Sequence, residues 1–479
     1  MLGKTRRVHF IGIGGIGMSG IAELLANLGY EVTGSDVKRS PVTDRLSSLG
    51  INVHDGHDAA NIGHADVVVV SSAVRPGNPE TAEAVRRQIP VIPRAEMLAE
   101  LMRLRYAVAV AGAHGKTTTT SMIALVLERA GLDPTAVIGG RLSAFGGNAR
   151  LGRGELMVAE ADESDRSFLK LFPSIAVITN IDDEHLESYG SFADLQQAFV
   201  DFANKVPFYG SVVACADDAR LRDVLPRVTR RVTTYGLDSA EADVTARDIE
   251  YGPFAVRAVV VQRTRRGSQS ATSVLGDLKL SVPGRHNLQN ALATVAVGLE
   301  LGLPFERIAT GLETFRGAER RFEVRGEIDE ILVIDDYGHH PTEISAVIDA
   351  AKSLGRRRIV VAFQPHRFTR TAALLERFGP SLRGADRVLL TGIYAAGEDP
   401  MPGITVESLA SAIHKTVSAP VDVVPKLDDV APALAKLAEP GDVVITLGAG
   451  SIGSVPERLL EMLKARSQAA GAEARGERA

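Results

Sequence analysis

Short apolar runs recur along this chain, each followed by a glycine or polar turn and then by apolar residues at helical spacing. VHFIGI (8–13) predicts a strand, MSGIAELLANLG (18–29) a helix ending at Gly29, and EVTGSD (31–36) a second strand. DVVVVSSAV (66–74) is a continuous β-branched run, which predicts a strand buried on both faces, and RPGNPE (75–80) is a turn cluster. A second series begins with the alternating strand YAVAVA (106–111) and continues through LMVAE (156–160), IAVITN (175–180) and SVVACA (211–216). A β-rich stretch over 232–282 precedes VPGRHNLQNALATVAVGLELG (282–302), which predicts a long helix ending at Gly302. A third series follows: ILVIDD (331–336), RIVVAF (358–363), DRVLLT (386–391) and DVVITLG (442–448) alternate with helical segments.

Alternation of strand and helix predicts α/β domains with parallel sheets and ligands at the carboxyl ends of the strands. The expected division is 1–100, 101–320 and 321–465. Residues 466–479 carry no apolar face and are expected to be a disordered tail. No repeat of fixed period appears.

Composition narrows the function. A formal net charge of −5 disfavours nucleic-acid binding, which normally shows a basic excess. The single cysteine, Cys215, excludes an internal disulfide and fits a reducing compartment. No apolar run approaches the roughly 18–20 residues that span a bilayer. Lys4, Arg6 and Arg7 precede an apolar segment as in a secretory signal, but glycines at 12, 14, 15 and 17 read better as a strand and phosphate-type turn. The expectation is a cytoplasmic protein.

GAHGKTTTT (112–120) constrains the chemistry most tightly. Backbone N–H groups of such a loop and helix start point at phosphates, Lys116 supplies a mobile cation, and the Thr117 hydroxyl can hold Mg²⁺. In the usual GxxxxGK[ST] spacing the first glycine would fall at 110, where this chain has Val110. The loop turns instead at Gly112, with Ala113 and His114 before Gly115, so this is a P-loop variant.

Other candidates sit at predicted strand ends. GIGGIGMSG (12–20), with Asp36 nineteen residues after Gly17, can seat a pyrophosphate, but the motif does not say whose. Glu160 lies in AEADESD and His185 in TNIDDEHLESY, on the edge that carries the P-loop. A carboxylate and an imidazole there suggest Mg²⁺ ligation, with His185 the less expected ligand of a hard cation. Asp162, Glu163 and Asp165 have no individual assignment. Asn287 and Asn290, three apart at a helix start, suit an adenine or ribose, with helix capping by Asn287 as the alternative. FRGAERRFE (315–323), IDDYGHHPTE (334–343) and FQPHRFTR (363–370) gather histidines, an aspartate and arginines whose forks suit carboxylates or phosphates. LGAGSIG (447–453) is a possible second phosphate nest or a plain strand–helix turn.

Together these motifs resemble the Mur ligase family of ATP-dependent amide-forming enzymes over nearly the whole chain. GIGGIGM, DDYGHHPTE and FQPHRFTR favour the alanine-adding branch over its relatives, and a murein-tripeptide recycling ligase, which shares much of the pattern, stands as the nearest alternative. The resemblance implies an N-terminal Rossmann-like domain, a central P-loop ATPase domain and a C-terminal Rossmann-like α/β domain. It implies UDP on Gly12, Gly14, Gly15, Gly17, Met18, Asp36 and Ser71. ATP is implied on Gly112, Ala113, His114, Gly115, Lys116, Thr117 and Thr118, with Asn287, Asn290, Arg321 and Asp336. Mg²⁺ is implied on Thr117, Glu160 and His185, and catalysis by Lys116, Glu160 and His185. His339 or His340, with Arg367 and Arg370, match the region where the amino acid and the muramoyl end meet. The implied partners are UDP-N-acetylmuramate, L-alanine and ATP, without nucleic acid or stable membrane association, and with a monomeric or weakly dimeric chain. Some relatives carry a carbamylated lysine; LQQAFVDFANK has only Lys205 at its end, and none is assigned. Two readings from other classes are an NAD(P)-dependent oxidoreductase, which leaves GAHGKTTTT without a purpose, and a non-catalytic nucleotide-regulated sensor.

Overall fold

The computed structural model describes residues 3–71, 73–142, 145, 147–266, 269–355 and 358–476. Its strands form three sheets. In the first, β1 (Arg7–Ile11), β2 (Glu31–Asp36), β3 (Asn52–Asp55), β4 (Val67–Val70) and β5 (Val91–Pro93) are all parallel, in the order β3-β2-β1-β4-β5. The order reverses between β1 and β4, and there the glycine turn after β1 leads into the helix Ile16–Asn27. Such switch points open a crevice beyond the strand ends.

The second sheet holds β6 (Tyr106–Ala111), β7 (Thr135–Leu142), β8 (Gly147–Arg150), β9 (Leu156–Glu160), β10 (Ile175–Ile178), β11 (Ser211–Cys215), β12 (Val232–Tyr235), β13 (Val244–Tyr251), β14 (Val256–Arg266) and β15 (Gln269–Leu280). Its order is β15-β14-β13-β12-β11-β10-β6-β9-β7-β8. The P-loop strand β6 is central, parallel to β9 on one side and β10 on the other. Register aligns Val110 with Glu160 and Ala111 with Ile178. The segments leaving β6, β9 and β10 therefore emerge on one edge. Every residue of β6 except Tyr106 is buried, as its Ala/Val composition demands of a strand covered on both faces.

These two sheets belong to one compact unit, Met1–Ile249 with Ala258–Leu280 and Leu288–Phe315. The other unit comprises Glu250–Arg257, Ser281–Asn287 and Arg316–Ala479. It carries β16 (Glu323–Ile328), β17 (Ile331–Asp336), β18 (Arg358–Phe363), β19 (Arg387–Leu390), β20 (Val421–Val423) and β21 (Asp442–Leu447), in the order β16-β17-β21-β18-β19-β20. All pair in parallel except β16 with β17. One face packs Ile334, Ile348, Val361, Phe363 and Phe378, the other Val333, Val360, Leu434, Val444 and Leu459. Alternate residues of each strand thus feed opposite cores.

Two expectations need correction. The strand foreseen over 66–74 is shorter, Val67–Val70, and ends before the turn cluster at 75–80. The tail expected to be disordered is helical to Gly476, as the end of the helix Val455–Gly476; residues 477–479 lie outside the described residues. Its Ala, Glu, Gln and Arg content has high helix propensity, and a helix already nucleated on Val455, Leu459 and Leu463 needs no apolar face to continue. Among the described residues no helix is long and apolar enough to cross a membrane.

Candidate active site

The loop 112–118 is built by its backbone. Gly112 has φ 134°, and a Cβ there would overlap the Thr179 hydroxyl, so only glycine lets β6 pass this close to the end of β10. Gly115 caps the helix Lys116–Arg129 in a left-handed conformation (φ 82°), with Asn290 Oδ1 2.7 Å from where its Cβ would stand. Thr179 and Asn180 hold the loop from the neighbouring strand end. Asn180 Oδ1 accepts from His114 N (2.8 Å), while Thr179 Oγ1 and Asn180 Nδ2 both donate to His114 O (2.6 and 3.0 Å). The His114 ring meets Asp182 at 3.0 Å.

Lys116 Nζ donates to Gly112 O (2.7 Å), Ala113 O (3.1 Å) and Glu163 Oε1 (2.8 Å). Burial alone would lower the ammonium's pKa, but Glu163, Asp162 and Glu160 outweigh it, and the net shift is upward. Burial pushes the Glu163 carboxyl up to about 7 against the pull of Lys116. Thr117 donates to Glu160 Oε1 (3.1 Å), and Gly139 N donates to Glu160 Oε2 (2.8 Å). The hydroxyl and carboxylate foreseen as cation ligands are thus brought together, and their oxygen donors suit a hard divalent ion. His185 caps the short helix Leu186–Tyr189 at φ 57°, and its ring lies 3.6 Å from Glu184 and 3.7 Å from Glu187. The loop therefore presents an anion cradle with a lysine, a hydroxyl and several carboxylates at one sheet edge.

Asn290 accepts from the Thr119 hydroxyl (3.2 Å) and so packs on the P-loop helix. Asn287 is not a cap. The helix already runs from Arg285, and the Asn287 amide donates back to Pro283 O (2.7 Å).

At the glycine turn, Ser35 O accepts from Gly12 N (2.8 Å) and Ile13 N (3.0 Å), and Asp36 Oδ2 accepts from Gly14 N (2.8 Å). Ser71 packs against Gly12, and Met18 is buried beneath the turn. Arg94, which the sequence reading missed, lays its guanidinium against Gly17 and stands 3.8 Å from Asp162. Its only signal in the chain is its place as first residue of a helix after Pro93.

The second unit has its own cluster. Asp336 ends β17 and accepts from Phe322 N and Gly338 N (2.6 Å each). Burial raises its carboxyl to about 6, against the pull of Arg321 and these donors. Arg321 lies over the Tyr337 ring and 3.4 Å from Glu343. His339 Nδ1 meets Tyr337 O at 3.1 Å, and burial drops its pKa to about 3, keeping the ring neutral. His340 caps the helix Pro341–Lys352 and is fully buried. From the end of β18, His366 lies with its ring 5.4 Å from His339 and bonded to Arg370 (3.0 Å), while Arg367 stands at φ 67°. His366 is thus part of the cluster, a role its position in FQPHRFTR alone did not single out. Arg320 fills the 447–453 turn, with bonds to Asp335, Gly448 O (2.6 Å) and Gly450 O. That turn is a packed strand–helix connection, with a guanidinium where an anion would need to sit.

Comparison with known proteins matches three family models in succession: "Mur ligase family, catalytic domain" over residues 7–106, "Mur ligase middle domain" over 110–298, and "Mur ligase, glutamate ligase domain" over 320–450. The chain is 53% identical to a UDP-N-acetylmuramate–L-alanine ligase of Geotalea uraniireducens, covering 97% of this chain and 99% of that one. It is 52% identical to a protein of the same name from Geobacter sulfurreducens, covering 98% and 100%. Among solved structures it resembles the UDP-N-acetylmuramate-alanine ligase of Thermotoga maritima, with TM-score 0.79, 31% identity, and 97% and 99% coverage. It also resembles a murein peptide ligase of Psychrobacter arcticus, with TM-score 0.69, 26% identity, and 95% and 98% coverage.

Proposed function

The chain belongs to the Mur ligase family, and from that premise we propose that it is an ADP-forming ligase joining L-alanine to the lactyl carboxylate of UDP-N-acetylmuramate in peptidoglycan precursor synthesis. The observation that carries the phosphate chemistry is the cradle 112–118, where Lys116 and the start of a fourteen-residue helix face one sheet edge. The amino-acid choice is supported by full-length identity of 53% to an alanine-adding relative, against 26% to a murein peptide ligase.

In this reading a lactyl carboxylate oxygen attacks the γ-phosphorus of ATP, the bond to the β–γ bridging oxygen breaks, and an acyl phosphate and ADP form. The neutral amine of L-alanine then attacks the acyl carbon, a proton is lost from nitrogen, and inorganic phosphate leaves. Both first-step reactants are anions, so the protein's task is to neutralise and align them. Lys116 and the loop N–H groups bind the phosphates. Thr117 and Glu160, joined by His185, would hold Mg²⁺, which would supply positive charge against the negative phosphates. Asn290 contributes to the nucleotide site from beside the P-loop helix, and Asn287, Arg321 and Asp336 are assigned to nucleotide binding with it. In the second unit, His339 or His340 accepts the amine proton, and Arg367 and Arg370 bind carboxylate or phosphate oxygens. The turn 12–18, with Asp36 and Ser71, binds the UDP moiety.

The test is ADP release from ATP and UDP-N-acetylmuramate with L-alanine, glycine, L-serine or the murein tripeptide as acceptor. Dependence on both acid and L-alanine is expected. Preference for the tripeptide would transfer the protein to the recycling branch, and ADP release without need of an acid would remove the ligase reading.

A further inference from the structure

We propose that Glu163 is a latch on the nucleotide loop: its carboxylate holds Lys116 against the loop carbonyls until a phosphate takes its place as the lysine's counter-ion. The proposal rests on the assignment of ATP to residues 112–118.

An ammonium has three N–H donors and no more. Those of Lys116 are engaged by Gly112 O, Ala113 O and Glu163 Oε1. A phosphate oxygen can bond Lys116 only if one acceptor lets go. The two carbonyls belong to a backbone fixed by Thr179 and Asn180, so they cannot withdraw without dismantling the loop. Glu163 can withdraw. Its main chain is pinned, since its carbonyl accepts from the Tyr189 hydroxyl and from Arg166 N, but its carboxylate swings on side-chain torsions alone.

The neighbouring carboxylates are held differently. Glu160 has Thr117 and Gly139 as donors, and Asp162 accepts from Ser164 N with Arg94 nearby. Glu163 is 3% exposed, and its second oxygen, Oε2, has no hydrogen-bond partner among the described residues. An arriving triphosphate must displace or neutralise negative charge at this edge, and Glu163, whose carboxylate leaves one oxygen unpartnered and bonds the lysine itself, is the one that can exchange with it. Its raised pKa, about 7, fits a charge supported by a single cation.

The test is calorimetric titration of ATP into the full chain, without acid or amine substrate, for wild type, Glu163→Gln, Lys116→Met and the double variant. Glu163→Gln is expected to lower the ATP dissociation constant about tenfold, the size of one charge-assisted bond no longer competed for. Its KM for UDP-N-acetylmuramate should stay at the wild-type value. The gain should vanish in the Lys116→Met background, because the latch acts through that lysine. An unchanged or weaker ATP affinity in Glu163→Gln overturns the proposal. So does a gain that survives intact beside Lys116→Met, since the carboxylate would then merely repel phosphate through space. If Glu163→Gln does not fold, Glu163→Asp, which keeps the charge but draws it back from Lys116, should also tighten ATP binding. A wild-type chain that binds no ATP would overturn the nucleotide assignment itself, a result distinct from either.

Discussion

Glu80 and Glu163 are both buried glutamates standing behind strand–glycine–helix turns, and their pKa values are shifted in opposite directions. Behind the turn 12–17, Glu80 accepts from the Ser35 hydroxyl (2.6 Å) and the Asn61 amide (2.7 Å), with the His9 and His57 rings at 3.7 and 3.3 Å. Burial would raise its pKa, but His9, Ser35 and Asn61 outweigh burial and hold it at about 2. Behind the loop 112–118, Glu163 has Lys116 and its own backbone N–H, and burial wins. Ser35 also lends its carbonyl to Gly12 and Ile13, so the Glu80 network stiffens a turn that, on the proposed assignment, need only hold a ligand. On the proposed assignment the P-loop must let a phosphate in, and its glutamate is left half-satisfied. A buried charge with both oxygens bonded fixes a structure; one with an idle oxygen is poised to change partners.

The largest effect should come from the feature one turn has and the other lacks. Lys116→Ala removes the cation that distinguishes phosphoryl transfer from mere phosphate binding. It should cost about 2.7–4 kcal/mol of transition-state stabilisation, a fall of roughly 10²–10³ in turnover, by analogy with deleting one donor from an oxyanion site. Steady-state ADP release measures it. Near-normal ligation by Lys116→Ala would mean that the two turns do not differ as described, and phosphate transfer would have to be placed elsewhere.

Next in size is Glu80→Gln, which strips a buried charge from its donors. A loss of about 2–3 kcal/mol in unfolding free energy at pH 7 is expected from urea melts, the scale of hydrogen bonds to a buried ion. The sign with pH follows from the depressed pKa. Glu80's contribution is complete above the ordinary glutamate range and is lost as pH falls through about 2, so variant and wild type should converge toward that end. A gap that stays constant down to pH 3 and below would show that shape, not charge, makes the network matter.

Much of the fold behind this contrast was legible in the chain, and the contrast itself was hidden for a physical reason. Strands such as Glu31–Asp36, Leu156–Glu160, Ile331–Asp336 and Arg358–Phe363 appear where their apolar runs place them, because a buried parallel strand writes its burial directly into sequence. Parallel register then brings the ends of β6, β9 and β10 to one edge, which is why Lys116, Glu160 and Thr117 could be grouped in advance. Partnerships across long separations could not. Glu80 meets Ser35 across 45 residues and Lys116 meets Glu163 across 47, and nothing local in AEADESD marks Glu163 off from Asp162 or Asp165. Arg320 illustrates the converse, since a glycine-rich turn that the sequence left open between phosphate nest and plain strand–helix connection is filled by an arginine 128 residues earlier.

The smallest expected effect is the sharpest test of the contrast, because it reverses sign. Glu163's carboxyl is raised in the folded state, so its contribution to stability is present below the ordinary glutamate range and is lost as pH climbs through about 7. Over that window the wild-type chain should lose stability with rising pH by something under the one-proton limit of about 1.4 kcal/mol per pH unit. Glu163→Gln cannot titrate and should flatten that slope, while Glu80→Gln should leave it as it is. Urea melts at half-unit steps from pH 5 to 8 give both slopes. Parallel curves for wild type and Glu163→Gln would mean that Lys116 holds Glu163 charged as firmly as the polar network holds Glu80. The difference between a fixed turn and a poised one would then have to lie in the loop backbone, at Gly112 and Gly115, instead of in the glutamates.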